Sequence, residues 1–239
     1  MLVERFGGPA VGVRSKSTRT DLVSEADERA ERAVVAYLRE RRPDDGLVAE
    51  EGARIEGRSG FSWLVDPLDG TINYLYGDPR WCVSVACADA EGAVAGVVYH
   101  PLRDELFTAT RGGGARLGDA ILATTTVTDP GLALVATGFS YEPSERAAQA
   151  AVLSRIAGHV RDIRRAGSAA LDLAYVAAGR LDAYFEVMRS PWDTAAGALL
   201  VREAGGAVTW TEHTEIVASG RAVHAALLAL LRAGHENPG

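Results

Sequence analysis

The chain has 239 residues, is 47% hydrophobic and carries a net charge of −7 at pH 7. This is enough for one large domain, or two tightly joined halves, around a real core. No stretch reaches the roughly 18 consecutive apolar residues of a membrane-spanning helix, and no long basic run offers a surface to nucleic acid or anionic membranes. An anionic ligand would meet a repulsive global field, so local positive charge, such as bound cations, would have to reverse it.

The opening "MLVERFGGPAVG" lacks the basic start and long apolar run of a secretory signal, so the cytoplasm is the expected compartment. Next, "SEADERAERAVVAYLRERR" is predicted as a helix. Ser24 is its cap and Asp27 reaches back three residues later. Ala26, Ala30, Ala33, Val34 and Tyr37 are expected to form its apolar stripe, and Pro43 ends it. "LVAEEG" reads as a short strand ending at Glu50 and Glu51, and "FSWLVD" as a strand ending at Asp66. "CVSVACAD", "GAVAGVVYH" and "DELFTATRGGGARLG" read as strands joined by glycine-rich turns. Cys82 and Cys87 lie five apart on the first of these. They face opposite sides and are expected to be buried free thiols. "RGGGAR" lacks the Lys-Ser/Thr of a phosphate loop and is a hairpin turn.

The second half begins near Ile121. "ALVATGFS" and "LDAYFEV" are predicted strands. "SERAAQAAVLSRIAGHV", "SAALDLAYVAAGR", "WDTAAGALLVREAGG" and "AVHAALLALLRAG" are predicted helices. Strands and helices come in blocks and do not alternate strictly, which favours a layered α+β fold.

The chemistry concentrates in "WLVDPLDGTINYLYGDP". Asp-Pro and Asp-Gly both favour turns, so an acidic bend is one reading. An EF-hand is excluded, because the twelfth position of "DPLDGTINYLYG" is Gly77 and not glutamate. The other reading needs more carboxylates. Glu50, Asp66 and Asp69 follow strands, and Asp193 in "PWDTAAG" precedes a helix, where it could equally be an N-cap. If these four converge, two like charges about 5 Å apart at an effective dielectric near 20 repel by roughly 3 kcal/mol. The cluster would then require protons or cations. An all-oxygen donor set selects Mg²⁺, Mn²⁺ or Ca²⁺, and the histidines are scattered. Gly70, Thr71 and Ile72 follow directly; if a helix starts there, its free N–H groups face an anion. Cations beside an anion hole point to metal-assisted phosphate-ester hydrolysis.

These residues carry a resemblance to the inositol monophosphatase family of Mg²⁺-dependent, lithium-sensitive sugar-phosphate phosphatases. "WLVDPLDGTINY" resembles its signature W-x-x-D-P-x-D-G-T-x-N. "PWDTAAGALLVREAGG" resembles W-D-x-A-A-G followed by E-A-G-G. "KSTRTDLVSEAD", "AEEG" and "RRAGSAALDLAYVAAGRLDAYFE" are similar to three further family segments, and together the five cover roughly residues 12 to 231. The resemblance implies a layered α-β-α-β-α sandwich of the inositol monophosphatase and fructose-1,6-bisphosphatase type. Residues 1–120 would form an N-terminal α+β half carrying most metal ligands, and 121–239 a C-terminal α/β half carrying Asp193.

It also implies site roles. Glu50, Asp66 and the Leu68 carbonyl would hold one Mg²⁺; Asp66, Asp69 and Asp193 a second; and Glu50 a weaker third, with Mn²⁺ an admissible substitute. Gly70 and Thr71 would bind the phosphate, and Glu50 with Thr71 would orient the attacking water, with Asp69 in the catalytic set. Ala169, Glu186 and Arg164 fall at substrate-side positions with Asp69 and Asp193, Arg165 being the alternative to Arg164. Lys16, Asp21 and Asp27 match a mobile segment near the metals, although Lys16 alone could be a solvated lysine and Asp27 a simple cap. Only 15 residues precede Lys16, so the first helix is expected to be short.

The activity implied is hydrolysis of a small phosphorylated alcohol, inositol monophosphate first. Histidinol phosphate and other sugar or nucleotide phosphates are alternatives within the family. A non-enzymatic, metal-binding regulatory protein is an alternative outside it. A cytoplasmic homodimer without nucleic-acid or membrane partners completes the expectation.

Overall fold

A computed structural model describes residues 1–16, 22–187, 190–213 and 215–236. A single turn, α1 (Leu2–Arg5), precedes a two-stranded ribbon of β1 (Arg14–Ser15) and β2 (Leu22–Val23). α2 (Glu25–Arg41) follows, then β3 (Gly46–Ala49), β4 (Arg54–Ile55), β5 (Ser62–Asp69) and the short α3 (Thr71–Tyr76). The meander β6 (Cys82–Asp89), β7 (Gly92–His100), β8 (Glu105–Thr110), β9 (Gly114–Leu117) and β10 (Ala120–Ile121) completes an eight-stranded sheet, ordered β10-β9-β8-β7-β6-β5-β3-β4. The chain then runs through β11 (Leu134–Thr137), α4 (Pro143–Ile156), β12 (Asp162–Arg164), α5 (Ala169–Ala177), β13 (Ala183–Val187), α6 (Pro191–Glu203), β14 (Ala207–Trp210), β15 (Glu215–Ser219) and α7 (Arg221–Glu236). These strands make a five-stranded sheet ordered β12-β11-β13-β15-β14.

The layers follow from where the apolar surface lies. α5 and α6 are nearly apolar all round and fill the space between the two sheets, so they are buried on both sides. Small residues set that spacing. A Cβ on Gly197 of α6 would stand 2.5 Å from the Leu173 Cβ of α5, and one on Gly96 of β7 would stand 2.9 Å from the Ala196 Cα. α2 covers the outer face of the larger sheet, packing Leu38 against Leu47 and Ala49 of β3 and Val65 of β5. α4 and α7 cover the other sheet through Val152, Ile156, Leu227 and Leu231. The result is the expected α-β-α-β-α sandwich.

α2 begins where predicted. The Asp27 carboxylate accepts the Ser24 N–H at 2.8 Å, and the Ser24 hydroxyl accepts the Ala26 N–H at 3.2 Å. Its buried face differs from the expected stripe. Ala33 is exposed and Tyr37 is 58% exposed beneath the Arg41 guanidinium. The inner row steps by four through Ala26, Ala30, the half-buried Val34 and Leu38, flanked by the buried acids Asp27 and Glu31. Glu31 is inside because its oxygens accept the Glu51 and Ala53 N–H groups at 2.6 and 3.1 Å, fixing the glutamate turn after β3. Cys82 and Cys87 are free and buried, on opposite faces of β6.

Candidate active site

The site forms where the carboxyl ends of β3 and β5 meet the amino ends of α5 and α6. β3 and β5 are parallel, and the Glu50 N–H donates to the Val65 carbonyl at 3.1 Å, setting Glu50 beside Asp66. In a regular strand, residues three apart face opposite sides. Here the pairing of β5 with β6 steps from Asp66↔Ser84 to Asp69↔Cys82, so β5 carries one extra residue. Pro67, which has no N–H for the ladder, lies within that bulge. The bulge turns both aspartates toward one cavity. Gly70 then closes the turn at φ +93°, where a Cβ would come within 2.9 Å of the Arg80 carbonyl. Asp193 is the third residue of α6, so it is not the N-cap its local sequence allows; Ser190 occupies that position.

A cavity of about 550 Å³ is lined by Glu50, Asp66, Leu68, Asp69, Gly70, Thr71, Ala169, Glu186 and Asp193. Burial pushes the Asp66 carboxyl well above its usual range, and the charges of Glu50, Asp69 and Asp193 push it further. Asp193 rises for the same reasons: burial first, then Glu50 and Asp69. Asp69 rises to about 6, again through burial first, although Ser168 and the Ala170 N–H hold it down. Its Oδ2 accepts the Ser168 hydroxyl at 2.6 Å and the Ala170 N–H at 2.7 Å. Thr71 donates its hydroxyl to Asp27 Oδ1 at 2.9 Å or to the Leu68 carbonyl at 3.1 Å. Asp27 therefore both caps α2 and touches the site.

Lys16 is not a solvated lysine. Its ammonium lies 2.8 Å from Glu50 Oε1 and 2.6 Å from Glu51 Oε1, and its side chain is 21% exposed. Burial alone would lower its pKa, but Glu50 and Glu51 raise it overall. Asp21 lies outside the described residues. Glu186, at the end of β13, accepts the Tyr184 hydroxyl at 2.6 Å, and burial pushes it up to about 7. Of the two arginines, Arg165 lines the cavity. Arg164, the residue favoured from sequence, is half exposed and pairs with Asp162 at 2.5 Å, because β12 turns its side chain outward. Ser168 lies inside "RRAGSAALDLAYVAAGRLDAYFE", where nothing local marks it as the partner of Asp69, and Phe139–Glu142, which also borders the cavity, reads in sequence only as a strand end and the loop before α4.

Carboxylates and a backbone carbonyl form an all-oxygen donor set suited to a hard divalent cation. Among the described residues, no three Asp, Glu, His or Cys side chains stand close enough to hold an ion as placed. Protein donors occupy them: Lys16 on Glu50, the Leu68 N–H on Asp66 at 3.0 Å, and Ser168 on Asp69. The donor chemistry and the mutual repulsion fit a cation; the spacing would have to contract around it.

The inositol monophosphatase family profile matches residues 1–236. Nus factor SuhB of Xylella fastidiosa is 47% identical over 194 residues, covering 81% of this chain and 70% of that protein. Inositol-1-monophosphatase of Mycobacterium leprae is 41% identical over 242 residues, covering 95% and 82%. Among solved structures, the Thermotoga maritima IMPase superposes with a TM-score of 0.90 at 31% identity, covering 100% of this chain and 93% of that one. The suhB protein of Bartonella henselae gives 0.87 at 40% identity, covering 92% and 88%. The chain belongs to the inositol monophosphatase family.

Proposed function

We propose that this protein is a divalent-cation-dependent phosphomonoesterase acting on a small phosphorylated alcohol, with inositol monophosphate the leading substrate. The observation that carries the reading is the convergence of Glu50, Asp66, Asp69 and Asp193, from three separate segments of the chain, on one cavity beside Thr71. Glu50, Asp66, the Leu68 carbonyl, Asp69 and Asp193 would hold Mg²⁺, which supplies Lewis acidity and lowers the pKa of water. Glu50 and Thr71 orient the attacking water. The Thr71 hydroxyl already donates toward Asp27 and Leu68, which leaves its oxygen free to accept from that water. Gly70 lets a phosphate approach the backbone closely. Glu186 accepts from alcohol hydroxyls, and Arg165 adds positive charge on the substrate side. The test is phosphate release from a panel of phosphate esters with and without Mg²⁺. Mg²⁺-dependent release from inositol 1-phosphate supports the proposal, and no release from any ester removes it.

The name Nus factor, carried by relatives such as the Xylella fastidiosa protein, supports a second reading in which the chain acts through a partner. Asp69→Asn separates the two: a catalytic role is lost in that variant, whereas a partner role survives it.

A further inference from the structure

Glu186 is held by two residues that the proposed chemistry does not use. Tyr184 and Glu186 are two apart on β13 and share one face of that strand. This face runs from the core out to the cavity: Tyr184 is fully buried, whereas Glu186 lines the cavity wall. A buried phenol needs an acceptor for its hydroxyl. Tyr184 donates to Glu186 Oε2 at 2.6 Å, the short distance of a hydrogen bond to a carboxylate. Among the described residues, Glu186 Oε1 accepts no hydrogen bond. Tyr184 does not line the cavity, so it acts on a ligand there only through Glu186.

The second residue is Gly138. β11 pairs with β13 in the register Val135↔Ala183, Ala136↔Tyr184 and Thr137↔Phe185, so the next step sets Gly138 beside Glu186. A Cβ on Gly138 would fall 1.8 Å from Glu186 Oε2, 2.0 Å from its Cδ and 2.2 Å from Oε1. The carboxyl group therefore occupies the space that a side chain at position 138 would fill. Gly138 is not among the glycines with positive φ, so it supplies room for the carboxylate and not a special backbone conformation. Tyr184 and Gly138 together fix one pose of the carboxylate, with Oε2 engaged and Oε1 open to a donor.

We infer that Tyr184 is a positioning residue: with Gly138 it clamps Glu186 so that Oε1 accepts a hydroxyl of the alcohol, which makes the site selective for polyol phosphates. The inference rests on the phosphatase reading, and its test separates the two. Inositol 1-phosphate is compared with cyclohexyl phosphate, the same ring without free hydroxyls, on the wild type, Tyr184→Phe and Gly138→Ala. The wild type is expected to prefer the inositol ester in kcat/KM by at least about a hundredfold. Tyr184→Phe is expected to reduce that ratio by about tenfold, with the loss in the KM for inositol 1-phosphate and not in kcat. Gly138→Ala, which pushes the carboxylate aside, reduces the ratio in the same way and serves if Tyr184→Phe fails to fold. Tyr99→Phe on β7, which removes a hydroxyl bonded to Asp104 at 2.8 Å, leaves the ratio unchanged. An unchanged ratio in folded Tyr184→Phe, an equal loss on both esters, or no preference in the wild type overturns the clamp. If the wild type hydrolyses neither ester, the phosphatase reading fails, and the clamp is decided by the titration of Glu186. Its carboxyl carbon resonance is followed by NMR and assigned by its loss in Glu186→Gln. Burial pushes this carboxyl up to about 7, and the Tyr184 hydroxyl holds it down. The other charged groups around it, Arg165, Asp69, Asp172 and Asp193, are common to both proteins. A midpoint that moves upward in Tyr184→Phe keeps the clamp, and an unmoved midpoint rejects it.

Discussion

Asp69 divides its carboxylate between two halves of the molecule. Oδ2 is held by the Ser168 hydroxyl and the Ala170 N–H at the start of α5, which would leave Oδ1 for the proposed cation. Asp69→Asn preserves the shape but puts an amide where charge is needed. Turnover should fall by at least about a hundredfold, while the melting temperature holds or rises, because a repelled buried charge is removed. Steady-state kinetics and thermal melts on the same preparation check both arms. Lys16 supplies the counter-charge on Glu50. Lys16→Met should therefore tighten Mg²⁺ binding in calorimetry, and unchanged affinity would show that the ammonium does not compete there. Far from the site, His224 is buried, with Thr209 and Ser219 hydroxyls each 2.8 Å from a ring nitrogen. Burial, assisted by Arg221, lowers its pKa below 6.5. Protonation is thus easier in the unfolded chain, so stability is full above about pH 6.5 and is lost as the pH falls from there toward the lowered folded value. His224→Gln should flatten the stability curve in that window relative to the wild type, as read by urea unfolding at stepped pH.

Elements decide how much of this was legible beforehand. β6 and β7 appear where their alternating apolar residues put them, and α2 starts at its capping box. β15 is buried at every position and β14 is short, so neither shows the period-two pattern that marks a half-exposed strand. The α2 stripe was misjudged at Ala33 and Tyr37 because Asp27 and Glu31, both charged, take places on the inner face through hydrogen bonds that no hydropathy pattern reveals. The acidic motif was readable as residue types. The bulge that sends Asp66 and Asp69 to the same side depends on the β5–β6 register, which lies outside any local window. The same holds for Arg164 and Arg165: adjacent residues on an extended segment face opposite ways, and sequence alone does not say which is inward. The close approach of α5 and α6 gives a test at this scale. Gly197→Ala adds a methyl where the Leu173 Cβ is 2.5 Å away. It should cost about 1–3 kcal/mol in denaturant unfolding, and a neutral effect would mean that the two helices separate freely.

At the scale of the whole molecule, the cavity lies between two sheets, with Asp66 and Asp69 contributed by β5 of one and Asp193 by α6 packed against both. Cations bound there would tie the layers together, so Mg²⁺ should raise the melting temperature of the wild type in a concentration-dependent way. They would also supply the local positive charge that a chain of net charge −7 lacks elsewhere. Most direct of all is phosphate release from inositol 1-phosphate as a function of Mg²⁺, measured on the wild type and on Asp193→Asn. Saturable, Mg²⁺-dependent release by the wild type, reduced by orders of magnitude in the variant at every Mg²⁺ concentration, is the expected result. Equal release by both proteins, or release indifferent to Mg²⁺, would contradict a shared cation site built from these four carboxylates.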